Sequence, residues 1–489
     1  MGKASLKKMA SLLTAFFFLV VLGFLTLSAM LRQVSFPHRA LFFLGASFPV
    51  GAGFCSLILF VSHLLIPSEA KLISTALSLL AILFLAGYWI RHPPKDIFQL
   101  DLKIGRMNLW NKHVFLEMLP SLLSFLLFAI TLVTVLQYYS LAAPRDIFGG
   151  ADARYFWTLK AKFLFRSPSE WQGMFSPKLF WSHTDYPLLF PGTLAWGWNW
   201  LGHESLFWPP LVSLGFYVSC VLILVWYLSS YVSWTAGWMG GTFFLVLMPY
   251  LSWSIYQYAD VPLTFFVTAC SLTLVAALRS GQKNVFIIAG LLAGFATWTK
   301  NEGLLFTVWV YFLLGGICAL RYHDKSREPF APLRGFSLGA ILPLLAFGVI
   351  KFFLAPHENY LGTGPLLPAS QGLLLSGWNK TLTILGAFYV WMISFEEWKG
   401  LWVIFIVAAI FLGINKKKTP GDFAWILFAI VVLMNLSYVF IFHITPHNLV
   451  WHITTSLNRL LLHSGALALA FSFENLTFTR KKPCNTLPL

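Results

Sequence analysis

The chain has 489 residues, of which 58% are hydrophobic and only 11% are charged. A soluble globular domain carries about 25% charged residues, so this composition excludes a water-soluble protein. The net charge of +16 at pH 7 is what basic cytoplasmic loops would give, and no soluble basic domain is present to bind a nucleic acid. Apolar runs of spanning length predict an all-α polytopic membrane protein. The alternating ten-residue segments of a β-barrel are not seen.

Residues 1–112 are expected to form N-terminal transmembrane helices followed by a basic linker on the cytoplasmic side. Three apolar runs cover residues 9–30, 40–66 and 71–90. The first run is longer than the apolar part of a signal peptide, which favours an uncleaved helix. Either two or three of these runs cross the membrane, so we expect 12 or 13 spans in the whole chain.

Clusters of Lys and Arg orient the remaining spans, because such clusters collect on the cytoplasmic side. The clusters lie at residues 279–283, 321–334, 415–418 and 480–482. Alternating the apolar segments between them gives a transmembrane core over 113–475, a long extracytoplasmic loop over 139–204 and a cytoplasmic tail over 476–489. The apolar stretches 186–202 and 380–394 must then lie at the outer membrane surface or re-enter without crossing.

The long loop contains the stretch GGADARYFWTLKAKFLF, residues 149–165. In an α-helix, Asp152, Tyr155, Phe156 and Leu159 would share one face. This pattern predicts a helix on the membrane surface with Lys160 and its neighbouring lysine at the level of the lipid headgroups.

A second loop stretch, FWSHTDYPLLFPG (180–192), places His183 and Asp185 before two prolines. A surface helix and a loop without chemistry would account for both stretches equally well.

The stretch QYADVPLTFF places Asp260 at the start of a span, two residues before Pro262. Asp260 is therefore either a capping residue of a helix that proline opens or a polar group that faces a cavity.

A different feature is the stretch TWTKNEGLLF (297–306), where Lys300 and Glu302 are the only charges between residues 284 and 320. One helix over these residues would be about 55 Å long, whereas the hydrocarbon core is about 30 Å thick. The chain is therefore expected to turn at Lys300–Gly303, and a polar hairpin eased by Gly303 would suffice to explain the charges.

The stretch HITPHNLVWHITTSLNRLLLH (443–463) enters the last span and carries His443, His447, His452 and Arg459. Thr445 and Pro446 interrupt the helical spacing between the first two histidines, so a metal site is not favoured. An arginine at a helix start in a membrane needs a partner such as phosphate or an acid.

One side of the predicted topology thus gathers acids, a few cations and aromatic residues near helix ends. An enzyme that moves a sugar from a lipid phosphate needs this combination. Arg or Lys neutralises the leaving phosphate, Asp or Glu accepts the proton of the acceptor hydroxyl, and aromatic rings cover sugar faces.

Five stretches, in this order, resemble the bacterial membrane glycosyltransferases of the GT-C superfamily: GADARYFWTLKAKFL, HTDYPLLFPG, YADVPLTFF, GLLAGFATWTKNEGLLF and WHITTSLNRLLLH. The branch related to the dolichyl-phosphate-mannose protein mannosyltransferases is the most similar, over about residues 113–475. The resemblance implies an all-helical core in the plasma (inner) membrane with an extracytoplasmic first loop that carries membrane-surface helices. It also implies a polyprenyl-phosphate-linked sugar as donor, inversion by direct displacement, and a glycan, lipid or protein as acceptor.

The resemblance also suggests roles for individual residues. Asp152 matches the first-loop acid that is the expected catalytic base, and Asp260 matches the second acid. For the basic group that contacts the lipid phosphate, Lys300 is the best match and Arg459 is the second candidate. Four further residues are expected to line the substrate site: His183, Asp185, Glu302 and Lys160. Many members carry two adjacent acids in the first loop, but here Ala153 follows Asp152, so we expect no cofactor and do not favour a divalent metal.

Two other classes of function remain open from the sequence. A lipid-sugar flippase or transporter would show internal repeats and charges near the bilayer midplane, and neither is evident. A polysaccharide polymerase or ligase also uses lipid-linked donors outside the membrane, but its main functional loop usually comes late in the chain. A purely structural membrane protein would have little reason to keep Asp260, Lys300 and Glu302.

Overall fold

A computed structural model describes residues 3–34, 37–93, 112–325, 328–356, 377–414 and 423–476. Within these ranges the regular structure is helical and contains no strand, which confirms the predicted all-α class. The predictions for most of the basic linker (94–111), for the cluster at 415–418 and for the tail from residue 477 onward fall outside the described residues.

Eighteen α-helices follow one another along these ranges. They are α1 (Lys3–Met30), α2 (Arg39–Leu65), α3 (Ala70–Arg91), α4 (Lys112–Ala142), α5 (Leu159–Arg166), α6 (Leu189–Leu201), α7 (Trp208–Tyr231), α8 (Trp234–Leu245), α9 (Met248–Ile255), α10 (Asp260–Ser280), α11 (Lys283–Thr299), α12 (Asn301–His323), α13 (Ala331–Val349), α14 (Gly377–Ile393), α15 (Phe395–Trp398), α16 (Leu401–Ile414), α17 (Ala424–Ile444) and α18 (Leu449–Leu476).

Nine of the described helices are long and apolar enough to cross a membrane, and the pair α8 and α9, bent by 56°, makes up to ten. The protein is therefore a multi-pass membrane protein. Starting from ten spans, the expected 12 are reached if two of the three helices α11, α16 and α18 also cross, and 13 if all three do. Helix α18 is not among the nine because its first half is rich in polar residues, which in a membrane protein is a common sign of function.

The three apolar runs at the N-terminus form the three helices α1, α2 and α3, each of crossing length. Helix α2 is largely buried between α1 and α7, whereas α3 buries few residues. The structure thus supports three spans in a region where the sequence left two or three.

Helix α10 occupies the middle of the bundle, between α7, α11 and α18. Every residue of α10 from Asp260 to Leu278 is buried. Asp260 therefore begins the most deeply buried of the spanning helices, and it needs charged or hydrogen-bonding partners there.

The predicted turn at Lys300 is confirmed. Helix α11 ends at Thr299 and α12 begins at Asn301, so Lys300 alone separates them, in an extended conformation with φ −153° and ψ 161°. The reason for Gly303 is close packing, because a Cβ there would lie 1.9 Å from the carbonyl oxygen of Ala296.

The predicted surface helix of the long loop is wrong in two respects. Residues Ala153–Thr158 form a π-helical segment rather than a regular α-helix, so the expected shared face does not form. Lys160 is fully buried and does not lie at headgroup level. The buried side of this segment consists instead of Ala153, Trp157, Lys160, Ala161 and Leu164.

The apolar stretch at 186–202 forms α6, whose residues from Leu189 to Asn199 are all buried, mainly against α2 and α5. Its 13 residues span about 20 Å, which is too short to cross the hydrocarbon core. The second apolar stretch that was not expected to cross, 380–394, falls in α14, which buries only Ile384 and Phe388.

Helices α10 and α18 pack side by side, and polar contacts join them at both ends. At the ends remote from Asp260, the Arg279 guanidinium forms an ion pair with Glu474. The Tyr227 hydroxyl donates to the second oxygen of Glu474 at 2.7 Å. At the other ends, Asp260 faces residues of α18. We call this second end of the bundle the site end.

Candidate functional site

Charged side chains from four separate segments meet at the site end. Asp152 comes from the long loop, Asp260 from the start of α10, Lys300 from the break between α11 and α12, and Arg459 from α18. Each lies within 4.0 Å of an oppositely charged member of the group. The structure therefore brings together the four residues that the sequence placed at the centre of the candidate site.

Lys300 lies between two carboxylates. Its Nζ atom is 2.9 Å from Asp260 Oδ1 and 3.1 Å from Glu302 Oε1. Removing an unpaired ammonium group from water would cost several kcal/mol, and these two partners compensate for the burial of Lys300. Lys300 thus serves two carboxylates at once.

His463 completes the surroundings of Asp260 and was not singled out from the sequence. Its Nε2 atom lies 3.1 Å from Asp260 Oδ1, and its Nδ1 atom lies 2.9 Å from the Tyr438 hydroxyl. Because an ionised carboxylate can only accept, Nε2 is the donor to Asp260. His463 follows Arg459 by four residues on α18, so helical spacing alone could have identified it.

Arg459 lies beside both acids that were predicted to be catalytic. Its guanidinium forms an ion pair with Asp152, and its Nη1 atom lies 4.0 Å from Asp260 Oδ2. The group also lies over the rings of Trp253 and Tyr258, at 5.8 and 5.2 Å from their centroids. Flat aromatic faces on an arginine favour a fixed orientation of its planar fork.

The linker that precedes α10 holds the Asp152 segment in place. The Gly150 amide donates to the Tyr256 carbonyl at 2.9 Å, and the Asp152 amide donates to the Tyr258 hydroxyl at 3.4 Å. A Cβ on Gly150 would lie 2.6 Å from the Tyr258 ring. Asp152 is therefore positioned by backbone contacts as well as by its ion pair with Arg459.

Asp185 lies in a second group of contacts, next to the first. Its Oδ2 atom accepts hydrogen bonds from Asn301 Nδ2 at 2.8 Å and from Lys351 Nζ at 2.6 Å. Asn301 directly follows Lys300, so the two groups share the start of α12. Lys351, in the helical turn that follows α13, was not identified from the sequence.

His183 and Lys160 contact each other within the long loop. The Lys160 Nζ atom donates to the His183 carbonyl at 2.5 Å, and the His183 ring stacks on Tyr186 with centroids 4.7 Å apart. His183 adopts the left-handed conformation, with φ 48°. Burial lowers the pKa of His183 below its usual 6.5, although the nearby Asp185 carboxylate opposes this.

His443 lies at the end of α17, His447 in the segment that follows, and His452 in the first turn of α18. His452 Nδ1 pairs with the Thr445 hydroxyl at 2.8 Å. Within the ranges that the structure describes, no group of three or more His, Cys, Asp or Glu side chains is placed to hold a metal ion.

Comparisons of the chain with models of protein families, with curated proteins and with solved structures give no match. The geometry of the site and the resemblance of its motifs are therefore the basis of the function proposed next.

Proposed function

We propose that the protein transfers a sugar from a polyprenyl-phosphate-linked donor to an acceptor hydroxyl, with inversion, at the site end of the bundle. The observation that carries this proposal is the position of Arg459 between two carboxylates, Asp152 and Asp260. The arginine fork can bind a phosphate through two parallel hydrogen bonds. A carboxylate that reaches the opposite side of the anomeric carbon can accept the proton of the attacking hydroxyl.

Arg459 and Asp152 would act in sequence. Before the donor binds, Asp152 is paired with Arg459, which occupies one of its carboxylate oxygens. When the donor phosphate takes over the guanidinium, Asp152 loses this partner and becomes available for a proton. The base is then released next to the reacting carbon only when a donor is present.

In the reaction, the acceptor oxygen attacks the anomeric carbon on the side opposite the phosphate, and Asp152 takes the proton of the acceptor hydroxyl. The bond between the anomeric carbon and the phosphate oxygen breaks, and polyprenyl phosphate leaves with its electrons. Arg459 stabilises the negative charge that develops on that oxygen. Holding the reacting atoms about 3–3.5 Å apart supplies much of the rate.

For Lys300, the contacts favour a role other than the phosphate contact that the motif resemblance suggests. Its charge is shared between Asp260 and Glu302, and its side chain is only 6% exposed, whereas the side chain of Arg459 is 16% exposed and more open to a ligand. We therefore assign Lys300 to the positioning of Asp260 and assign the phosphate to Arg459.

We further propose that the site end faces the extracytoplasmic side of the plasma membrane. Helices α10, α11 and α12 carry Asp260 and Lys300 at the site end, and their opposite ends carry Arg279, Lys283 and Arg321. Basic residues at that end agree with the positive-inside rule. The donor and the surrounding lipids would then be the membrane partners of the protein, with a glycan, lipid or protein as the acceptor.

A transfer assay tests the proposal directly. Membranes that contain the wild-type protein, Asp152→Asn or Asp146→Asn receive labelled polyprenyl-phosphate sugars. Asp146 is an exposed acid of the same loop, so its variant is the matched control. We expect transfer by the wild type and the control, and none by Asp152→Asn at equal expression.

Two other results would contradict the proposal. Equal transfer by all three proteins would remove Asp152 as the base, with Asp260 as the next candidate. Movement of labelled lipid across the bilayer with no transfer of any sugar would favour the flippase class instead.

A further inference from the structure

Asp260 and Glu302 each contact Lys300 through one carboxylate oxygen. Asp260 Oδ1 already accepts from Lys300 at 2.9 Å and from His463 at 3.1 Å, and Glu302 Oε1 lies 3.1 Å from Lys300. The second oxygens, Asp260 Oδ2 and Glu302 Oε2, are buried and have no hydrogen-bond partner among the described residues. Asp260 as a whole is only 1% exposed.

Buried polar atoms without a partner are rare, because burial removes their hydrogen bonds to water. An ionised carboxylate oxygen can only accept, so its missing partner must be a donor. A ligand that binds at Asp260 Oδ2 and Glu302 Oε2 must therefore present hydroxyl or N–H groups. A phosphate offers mainly acceptor oxygens, so it cannot supply the hydrogen-bond donors that these two carboxylate oxygens lack.

The position of Asp260 Oδ2 narrows the choice of donor group. This oxygen lies 4.0 Å from Arg459 Nη1, which holds the phosphate in the function proposed above. In a sugar phosphate the anomeric carbon carries the phosphate, and the nearest hydroxyl of the ring is on the adjacent carbon, C2. A group at Asp260 Oδ2 must therefore be close to the phosphate along the sugar.

We propose that Asp260 Oδ2 binds the hydrogen-bond donor on C2 of the transferred sugar, so that Asp260 determines specificity rather than acting as a second base. Lys300 and His463 fix Oδ1 and thereby aim Oδ2 at the ring. Hydrogen bonds to the 2-hydroxyl that strengthen in the transition state are a general means of catalysis at anomeric carbons. The inference rests on the proposed function and adds the substrate feature that the site recognises.

Binding measurements with short-chain donors test this inference without relying on turnover. The probes are citronellyl phosphate alone and citronellyl phosphate linked to mannose, to glucose or to 2-deoxyglucose. The 2-deoxy compound is the common reference, because mannose and glucose become the same sugar when C2 loses its oxygen. Affinities are measured by titration calorimetry on the full chain in detergent.

For the wild type we expect mannose, glucose or both to bind at least about tenfold more tightly than the 2-deoxy compound, as for a hydrogen bond to a charged group. In Asp260→Asn, Lys300 and His463 hold the amide carbonyl, and the amide NH2 replaces Oδ2. The preference for the 2-hydroxyl should then shrink to within about threefold, because the charged acceptor is lost. Binding of citronellyl phosphate alone should persist, and Asp146→Asn should behave like the wild type.

Three results would overturn the inference in distinguishable ways. Equal wild-type affinity for the 2-hydroxy and 2-deoxy compounds would show that only water meets Asp260 Oδ2, while leaving the proposed function intact. An equal loss of affinity for all four probes in Asp260→Asn would place Asp260 in the phosphate site. If no probe binds the wild type, both the proposed function and the inference fail. The wild-type comparison decides the matter even if Asp260→Asn does not fold.

Discussion

Arg459 and Asp152 lie 307 positions apart in the chain and form an ion pair at the site end of the bundle. This contact joins the long loop to α18, and the 4.0 Å approach of Arg459 to Asp260 joins both to α10. A single guanidinium therefore connects three elements that are far apart in sequence. Both carboxylates that could act on a substrate are adjacent to the one group best suited to bind its phosphate.

The first prediction concerns the shape of the Arg459 side chain. Arg459→Lys keeps the positive charge but replaces the planar fork by a point charge, so bidentate binding of a phosphate is lost. We expect kcat/KM for the lipid-linked donor to fall about 10- to 100-fold, measured by steady-state transfer at constant ionic strength.

Arg154→Lys is the matched control for this prediction, because Arg154 is an exposed arginine of the same loop. It should leave kcat/KM near the wild-type value. If Arg459→Lys transferred sugar at the wild-type rate, Arg459 would not hold the donor phosphate.

A second prediction concerns His463, which donates to Asp260 from a fully buried position. His463→Ala leaves Asp260 with one donor fewer and opens a small cavity, so we expect a loss of about 2–4 kcal/mol of stability. We also expect transfer to fall. The thermal unfolding midpoint and kcat/KM would be measured on the same preparation.

His463→Gln separates positioning from packing, because its amide can still donate to Asp260. We expect this variant to recover much of the transfer activity that His463→Ala loses. If the loss of activity in both variants matches only their loss of unfolding temperature, His463 has a merely structural role.

A third prediction follows from the two carboxylates at Lys300. Lys300→Met removes their shared cation and leaves Asp260 and Glu302 buried without it. Breaking a buried ion pair by removing one partner costs about 3–5 kcal/mol. We therefore expect a lower unfolding temperature, and the double variant Lys300→Met/Glu302→Gln should regain part of the loss. Wild-type stability of Lys300→Met would contradict the ion-pair geometry.

A fourth prediction concerns pH and His183, whose pKa burial lowers below 6.5. The folded protein therefore favours the neutral imidazole, and the unfolded chain binds the proton more readily. The contribution to stability is complete above the unfolded pKa and is lost as the pH falls from that value towards the folded pKa. Thermal unfolding of the wild type should show this loss as the pH is lowered through 6.5.

His183→Asn provides the reference for the pH effect. Asparagine tolerates the left-handed conformation that His183 adopts at φ 48°, and it does not titrate. Other ionisable groups contribute equally to both proteins, so their difference reports His183. An unfolding temperature that changes with pH equally in the two proteins would exclude His183 as the source.

Several features of the site follow from the sequence because they depend on length and on the cost of burying charge. The turn at Lys300 was predictable because residues 284–320 are too long for one span. Asp260 and Arg459 stood out because charged groups in apolar surroundings need partners. His463 could have been found by the same logic, one helical turn from Arg459.

Other features depend on tertiary contacts that a local pattern does not encode. Lys351 meets Asp185 across 166 positions, and nothing near Lys351 in the sequence points to that partner. The burial of Lys160 reflects the fold of the loop around its ammonium group, which donates to the His183 carbonyl. The π-helical segment Ala153–Thr158 was missed because the periodicity used for helices assumes 3.6 residues per turn.

The last prediction tests the close approach of α11 and α12 that places Lys300. A Cβ at Gly303 would lie 1.9 Å from the Ala296 carbonyl oxygen, so Gly303→Ala forces two backbones apart. We expect a loss of about 1–3 kcal/mol, as for other overpacked sites. Transfer should also fall, because Lys300 and Glu302 move with the start of α12. Thermal unfolding and the transfer assay measure the two effects.

Gly315→Ala is the matched control, because Gly315 lies in the same helix and a Cβ there meets nothing within 4 Å. Alanine is the better helix former by up to about 1 kcal/mol, so this variant should be as stable as the wild type or slightly more so. Equal behaviour of the two variants would mean that α11 and α12 do not pack as closely as the structure has them. A stable but inactive Gly303→Ala would instead show that the helix contact acts on the geometry around Lys300 and not on the fold.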